Sequence, residues 1–527
     1  MSGMAKVILK EVDLSTRVAS FAGVYGAIVI PAVKGATDKP QLVTNQTQLL
    51  KSYTANEKVE VGHDLSYFSA LNYLSKADKL WVHRAINTGY FGGMTAVQST
   101  AVGSSASLAG GTNMADPLAF TFGADDAILF YGANEGAWAN DIRIKLTSVV
   151  DNADLVEPNS FLVEVFKSSN LNIAIESFLC SRVEGQKDGN GLNMFVEDVL
   201  LASDYIRAFS NPLIAGTVNI KSNATVVALA DGNDGLAVTD AQMITASDKF
   251  LNTAETSVTL LLDGGYATPA YQLNLDTIAQ TRGDCVALLS TRYADETSSS
   301  YVADILTYRS TTLNLNSSYS ALYTPHVEIT DTFNDRQLFI SPESYAGTAI
   351  SLSSSNFEIW YPPAGFTRGV VNVQDVAVRF TDGEMDTLVN KQINPIRFIP
   401  NKGIVIWGQK TLTSRASALQ DLNVRLLLIF IEPAIKNALE NFLFELNNVN
   451  TRTLAKDILD NYLEGIKSRK GVTDYLVVAD STNNSNADID AGRMNVDIYL
   501  KPSRSISEIP VRVVITPNSI SFSDAQG

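Results

Sequence analysis

Sulfur and imidazole are scarce in this 527-residue chain, which has two cysteines, Cys180 and Cys285, and three histidines, His63, His83 and His326. Two thiols cannot build a disulfide framework or a four-ligand zinc site. Both lie in apolar surroundings (Phe178-Leu179-Cys180 and Cys285-Val286-Ala287-Leu288), which predicts buried, reduced thiols and folding in a reducing cytoplasm. No histidine belongs to a His-Glu-x-x-His pair or neighbours a cysteine, so all three are expected to be structural. No Gly-Lys pair opens a helix as a P-loop requires, and neither Gly-x-Gly-x-x-Gly after a strand nor Gly-x-Ser-x-Gly is present. Nucleotide hydrolysis and α/β-hydrolase chemistry therefore lose their usual signatures, and no cofactor is implied.

Long apolar runs are also missing. Phe21 to Pro31 and Leu426 to Ile431 are far short of a membrane span, and Met1 to Glu11 lacks the apolar core of a signal peptide. The expectation is a protein neither exported by the usual route nor anchored. Basic residues are outnumbered, 40 against 56 acidic ones, for a net charge of −16 and a pI near 4.7. That balance disfavours nucleic acid and anionic membranes, which need clustered Lys and Arg. It leaves room for a partner with a local basic patch.

Two acidic segments have the composition of metal or acid–base sites. Counted from Asp231, Asp231-Gly232-Asn233-Asp234-Gly235 puts Leu236 and Gln242 where an EF-hand needs Gly and Glu, so a turn is expected. Asp488-Ile489-Asp490-Ala491-Gly492-Arg493 lies between a polar loop and a strand. It reads as a turn whose side chains cap backbone amides.

What is present is pattern. The length calls for two to four domains. Ala27 to Ile30, a helix capped by Asn45 and Gln48, a helix opened by Asp64 with Tyr67, Ala70, Leu71 and Leu74 on one side, and Leu80 to Ile86 alternate as an α/β layer. From about 96 the texture turns β-rich. A Gly/Ser/Ala stretch, Gly103 to Gly111, precedes short strands at Ile142 to Leu146, Phe161 to Phe166 and Thr225 to Leu229. The α/β texture returns with a helix over 239–251 and strands at Val258 to Leu262 and Val286 to Leu289. Residues 310–400, with Pro325, Pro342, Pro362, Pro363 and Pro395, read as loop-rich, and Ile404 to Trp407 as a strand. Val424 to Leu446 is strongly apolar, with Pro433 marking a helix start or kink. Residues 451–467 place Leu454, Ile458, Tyr462 and Ile466 along one helical stripe.

The last hundred residues alternate with period two. Tyr475 to Ala479 is one strand, Arg493 to Leu500 a second, and Ile509, Val511, Val513 and Ile515 line a third. At the other end Val7 and Leu9 alternate with Lys6, Ile8 and Lys10. A terminal strand needs a sheet to join, and another subunit can supply it.

These segments, taken together, resemble the contractile tail sheath proteins of bacteriophages and related injection machines. The resemblance is carried by Glu11-Val12-Asp13-Leu14-Ser15, Gly26 to Val29, Gly132 to Asp141, Leu229 to Gly235, Ser318 to Pro325, Pro363-Ala364-Gly365, Ile393 to Arg397 and Gly403 to Leu412. The strongest matches are Asn423-Val424-Arg425-Leu426 and Asp488 to Val496, and the set keeps family order along nearly the whole chain. Departures are Phe444-Glu445-Leu446-Asn447, where the family often has Phe-Glu-Pro-Asn, and Pro342-Glu343-Ser344, where it has Pro-Ser-Gly.

The resemblance implies a multidomain α+β, α/β architecture. An α/β core (21–95 and 236–504, its tube-facing part about 400–504) would carry an inserted β-rich outer domain (96–235). A donated N-terminal arm (1–20) and a C-terminal arm (505–527) would extend from it. It implies a structural, non-enzymatic subunit in the virion tail, made and assembled in the host bacterial cytoplasm. The subunit would stack as hexameric rings around a tail tube and contract for genome ejection during host cell entry. Implied partners are further copies, the tail tube protein, and the baseplate and tail terminator proteins, with no direct nucleic acid or membrane contact. Strand exchange would use Val7, Leu9, Ile509, Val511, Val513 and Ile515; a C-terminal helix would meet the tube through Arg452, Lys456, Lys467 and Arg469. The competing readings are a secreted adhesin or S-layer-like protein and an α/β hydrolase without a recognisable motif.

Overall fold

A computed structural model describes residues 23–506 apart from 60, 62–64, 108–113, 153–154 and 156, together with residue 510. The chain divides into two compact units, one ending at Arg415 and the next beginning at Ala416.

The first unit opens with β1 (Gly26–Ile30), β2 (Gln41–Val43), α1 (Gln46–Tyr53), α2 (Ser66–Leu74) and β3 (Leu80–Arg84). Asn45 caps α1 by accepting from the Gln48 amide at 2.8 Å. The next eight strands are β4 (Gly93–Val97), β5 (Ala106–Ser107), β6 (Asp126–Gly132), β7 (Ile142–Ser148), β8 (Ser160–Lys167), β9 (Glu176–Ser181), β10 (Ile206–Ser210) and β11 (Val227–Ala228), with α3 (Val196–Val199) before β10. They form two four-stranded sheets, β10-β6-β4-β5 and β11-β7-β8-β9. Strict alternation along β7 buries Ile142, Ile144 and Leu146 beside Phe130, Phe161, Val163 and Ile206 in one core.

The chain then returns through α4 (Asp240–Ser247), β12 (Leu260–Leu262), α5 (Pro269–Arg282), β13 (Val286–Ser290), α6 (Tyr293–Glu296), α7 (Tyr301–Thr307) and β14 (Ser320–Thr324). There follow β15 (Val327–Asp331), β16 (Arg336–Ile340), α8 (Glu343–Asn356), α9 (Gly365–Arg368), β17 (Val370–Val371), β18 (Asp375–Val376), α10 (Asp382–Asn390), β19 (Ile393–Ile399) and β20 (Gly403–Ile406). A nine-stranded sheet results, in the order β17-β20-β19-β14-β13-β12-β1-β3-β2. From β19 to β3 its strands are parallel; β2 and the β20/β17 end are antiparallel. Central strands such as Gly26-Ala27-Ile28-Val29-Ile30 are buried on both faces, which is why they read as unbroken apolar runs. Met243, Phe250, Tyr271 and Ile278 cover one face, while α2 and α8 pack together over the other.

Residues 310–400 are therefore not loop-rich. They supply β14 and β19 to this sheet and the 14-residue α8. The prolines mark boundaries: Pro325 follows β14 and Pro342 precedes α8. Pro395 stands where β19 passes from pairing with β14 to pairing with β20, so its missing N–H breaks no ladder.

The second unit holds α11 (Leu422–Glu440), α12 (Val449–Ser468), β21 (Val472–Val478), α13 (Asn486–Asp490) and β22 (Asp497–Pro502). The helix α11 does not start at Pro433; it begins eleven residues earlier and runs through that proline. Packing of Leu422, Leu426, Ile429 and Ile431 outweighs the one backbone bond a proline removes. In α12 the buried stripe is Arg452, Ala455, Leu459, Leu463 and Ile466; of the expected stripe only Ile466 lies on it, and Leu454, Ile458 and Tyr462 do not. A constant step of four advances about 400° and drifts off one face, whereas alternating threes and fours stay on it.

Candidate assembly interface

The carboxyl ends of a parallel sheet are where α/β folds usually place ligands and catalytic groups. Here that edge is filled by the chain itself. Asp263, after β12, accepts from the Ser290 amide at 2.6 Å, Gln272 Nε2 at 2.7 Å and the Gly265 amide at 3.0 Å. Glu296 accepts from Thr291 Oγ1 at 2.5 Å, Thr324 Oγ1 at 3.1 Å and the His326 amide at 2.7 Å, and its Oε2 lies 2.9 Å from His326 Nδ1. These carboxylates tie strand ends together and are sealed from solvent. Burial pulls His83 down to about 4 and pushes both thiols, Cys180 and Cys285, up. His63 lies outside the described residues. Among the described residues no group of three or more His, Cys, Asp and Glu is placed to hold a metal ion, and no helix is long and apolar enough to cross a membrane.

Two sequence motifs meet beside this edge. Asn140 donates to the Gly232 carbonyl and accepts from the Gly232 amide, both at 2.8 Å, while Asp234 Oδ1 takes the Ala137 amide at 2.8 Å. The Asp231 to Gly235 segment is thus no isolated turn. It runs against residues 87–93 through bridges Asn87–Gly235, Tyr90–Asn233 and Gly93–Ala230. Its glycines serve close approach: a Cβ at Gly235, where φ is +77°, would stand 2.0 Å from the Asn87 carbonyl, and one at Gly232 2.5 Å from that of Gly136. Arg84, fully buried at the end of β3, donates to the carbonyls of Ala32, Val33, Gly35 and Glu135 and so ties the sheet to this knot.

The second unit offers a different kind of surface. In its two-stranded sheet Tyr475 faces Leu500, Leu476 faces Tyr499 and Val477 faces Ile498. Val477 is buried and α12 packs against β21, while Leu476 and Tyr499 are 55% and 61% exposed. Neither outer edge has a β partner among the described residues. Amide side chains set the register: Asn483 Nδ2 donates to the Val478 carbonyl at 2.8 Å and to Asp497 Oδ2 at 2.9 Å. Asn495 gives its backbone amide to Asn484 Oδ1 at 2.7 Å. Asp488 caps α13 by reaching back to Ser485 and also accepts from Arg493 at 3.0 Å, the capping role expected of it.

Of the residues expected to act at interfaces, Val7, Leu9, Ile509, Val511, Val513 and Ile515 lie outside the described residues. The four basic residues of α12 separate into two groups. Arg452 is only 5% exposed and its Nη1 donates to Asn447 Oδ1 at 2.8 Å; Asn447 in turn holds the Arg493 carbonyl. It is a bolt inside the unit, which its place on the buried stripe would have revealed. Lys456 pairs with Asp460, and Lys467 lies 3.5 Å from Asp474 and over the Tyr475 ring. The exposed Arg469 stacks on Phe430.

Comparison with known proteins bears on this unit first. Residues 414–516 match the family described as phage tail sheath C-terminal domain. The tail sheath protein of Vibrio phage KVP40 is 28% identical over 377 residues, covering 67% of this chain and 55% of its own length. That of Enterobacteria phage T4 is 28% identical over 374 residues, covering 67% and 56%. The chain thus spans about half the length of the curated relatives it matches. A sheath tail protein from Desulfitobacterium hafniense shares the fold at a TM-score of 0.55 and 13% identity, over 98% of this chain and 100% of that one. The contracted helical sheath of the anti-feeding prophage aligns at 0.54 and 14%, over 98% and 99%. These relatives are tail sheath proteins, neither hydrolases nor adhesins by name. Over residues 414–516 the chain matches the sheath C-terminal domain, and over two thirds of its length it is similar to the tail sheath proteins of bacteriophages.

Proposed function

We propose that this chain is the repeating structural subunit of a contractile phage tail sheath. It would stack as hexameric rings around the tail tube, between baseplate and tail terminator, and contract to drive the tube through the host envelope. The observation that carries this reading is the β21/β22 pair: two strands with open edges and an exposed apolar face, in the domain that matches the sheath family. A two-stranded sheet is marginal alone, and main-chain hydrogen bonding to a strand from another copy is the usual way to complete one. Residues 1–20 with Val7 and Leu9, and residues 505–527 with Ile509, Val511, Val513 and Ile515, are the proposed donors. Such joints would persist while rigid bodies slide, so extended and contracted lattices are two packings of the same fasteners.

In this proposal residues 96–235 form the outward-facing insert of a core made from 21–95 and 236–504. The tube-facing surface is α12, through Lys456, Lys467 and Arg469, with Arg452 positioning the loop before the helix. Electron microscopy of the purified full chain tests the assembly: helical tubes or stacked rings are expected, and a protein that stays monomeric at high concentration contradicts it. Charge reversal at Lys456, Lys467 and Arg469 is expected to release a co-expressed tube protein, and unchanged co-sedimentation contradicts that contact.

A further inference from the structure

Acidic residues dominate this chain, yet residues 387–415 contain five basic residues and no Asp or Glu. This stretch builds β19 and β20, at one end of the nine-stranded sheet, and β17 forms the outermost strand there. Lys391, Lys402 and Arg415 are exposed and have no carboxylate partner among the described residues. Arg397 reaches Asp382 at 3.0 Å, and its Nε has no acceptor.

Aromatic rings hold two of these charges, Lys402 and Arg397, in place. The Lys402 ammonium lies 4.3 Å from the centre of Phe366; Phe366 meets Trp407 edge to face at 5.4 Å; the Arg397 guanidinium lies 5.3 Å from the centre of Trp407. Val370 pairs with Val405, which pairs with Arg397, so Val370 joins the same face. Phe366, Trp407 and Val370 are 43%, 40% and 58% exposed. Exposed Trp and Phe beside Arg is the composition of an interface anchor. A cation stacked on a ring has already lost much of its side-chain freedom, so less is lost on binding. A stacked guanidinium still presents its edge to a carboxylate.

We infer that this end of the sheet is a docking surface for an acidic face of a second copy of the chain. The inference rests on the self-assembly proposed above and names a contact distinct from the terminal strands. Charge complementarity identifies the occupant: a copy with net charge −16 offers acidic surface, whereas residues 387–415 hold no Asp or Glu of their own, although Arg397 is met by the carboxylate of Asp382. Nucleic acid fits less well. Its bases need bare ring faces for stacking, which the protein's own cations cover here, and the whole-molecule charge repels a polyanion.

The test uses the full chain carrying Lys391→Glu and Lys402→Glu, and separately Trp407→Ser. The threshold concentration for polymer formation, read by sedimentation, is expected to rise about tenfold or more, with an unchanged circular-dichroism melt. Wild-type assembly by these variants overturns the inference alone. A wild-type chain that never polymerises defeats the assembly reading and this inference with it. Normal polymers that lose DNA retention or tube binding would assign the surface to another partner and also overturn it. Should the charge reversal unfold the chain, the neutral Lys391→Gln and Lys402→Gln pair carries the same test with a smaller rise.

Discussion

Glu343 is fully buried in the first turn of α8. Burial, and then the charge of Asp263, push it up to about 8 from an ordinary value near 4.5. Between those values the folded protein holds a proton that the unfolded chain has released, so stability falls as pH rises from about 5 to 8. Asp263, also raised by burial, adds to the fall in the same direction. Glu343→Gln is expected to make that fall shallower, and urea unfolding at pH 5 and pH 8 reads the difference. Arg84 is the second residue to test. Its fork feeds four carbonyls at once, and a lysine cannot reproduce that geometry. Arg84→Lys is expected to cost about 2–3 kcal/mol in equilibrium unfolding, the loss of several buried charge-assisted bonds. Neither role was legible in the sequence. Glu343 reads there as part of an ordinary turn, and Arg84 as one polar residue in a strand, because burial and partners come from segments far away in the sequence, Ala32 and Glu135 for Arg84 and the α2 helix for Glu343.

Among elements, α12 shows how far periodicity reaches. The helix and its end near residue 470 follow from pattern, but its buried face was displaced by one residue when counted in strict fours. Leu459→Ala, at the true face, is expected to cost about 3 kcal/mol, and Leu454→Ala, exposed on the other side, under about 1 kcal/mol. Parallel urea titrations separate the two. The strands β14 and β19 were hidden for a related reason. A buried parallel strand has no alternation to reveal it, and the prolines at its margins resemble loop signals. By contrast β22 has one face toward the unit and one toward solvent, so Ile498 and Leu500 alternate with Asp497 and Tyr499 as expected, although the strand begins at Asp497 and not at Arg493.

At the scale of the whole molecule, the proposed assembly depends on the chain ends. Removal of residues 1–20, or of everything after 505, is expected to leave a folded subunit with a wild-type melt that no longer forms helical polymers. Normal polymers from either truncation, seen by electron microscopy, would contradict strand donation. Val7, Leu9, Ile509, Val511, Val513 and Ile515 lie outside the described residues, so the expectation rests on their alternation and on the open edges of β21 and β22. The family likeness, the absence of familiar catalytic motifs, the mixed α/β composition and the alternating C-terminal strands are legible in the order of residues alone. Those are properties of local order and spacing, which a linear string carries intact. It takes the folded chain to show that Gly132 to Asp141 locks onto Leu229 to Gly235, that Arg452 is an internal bolt, and that Lys402, Phe366, Trp407 and Arg397 share one face. Each depends on which distant segments become neighbours, and that is set by packing the whole chain at once.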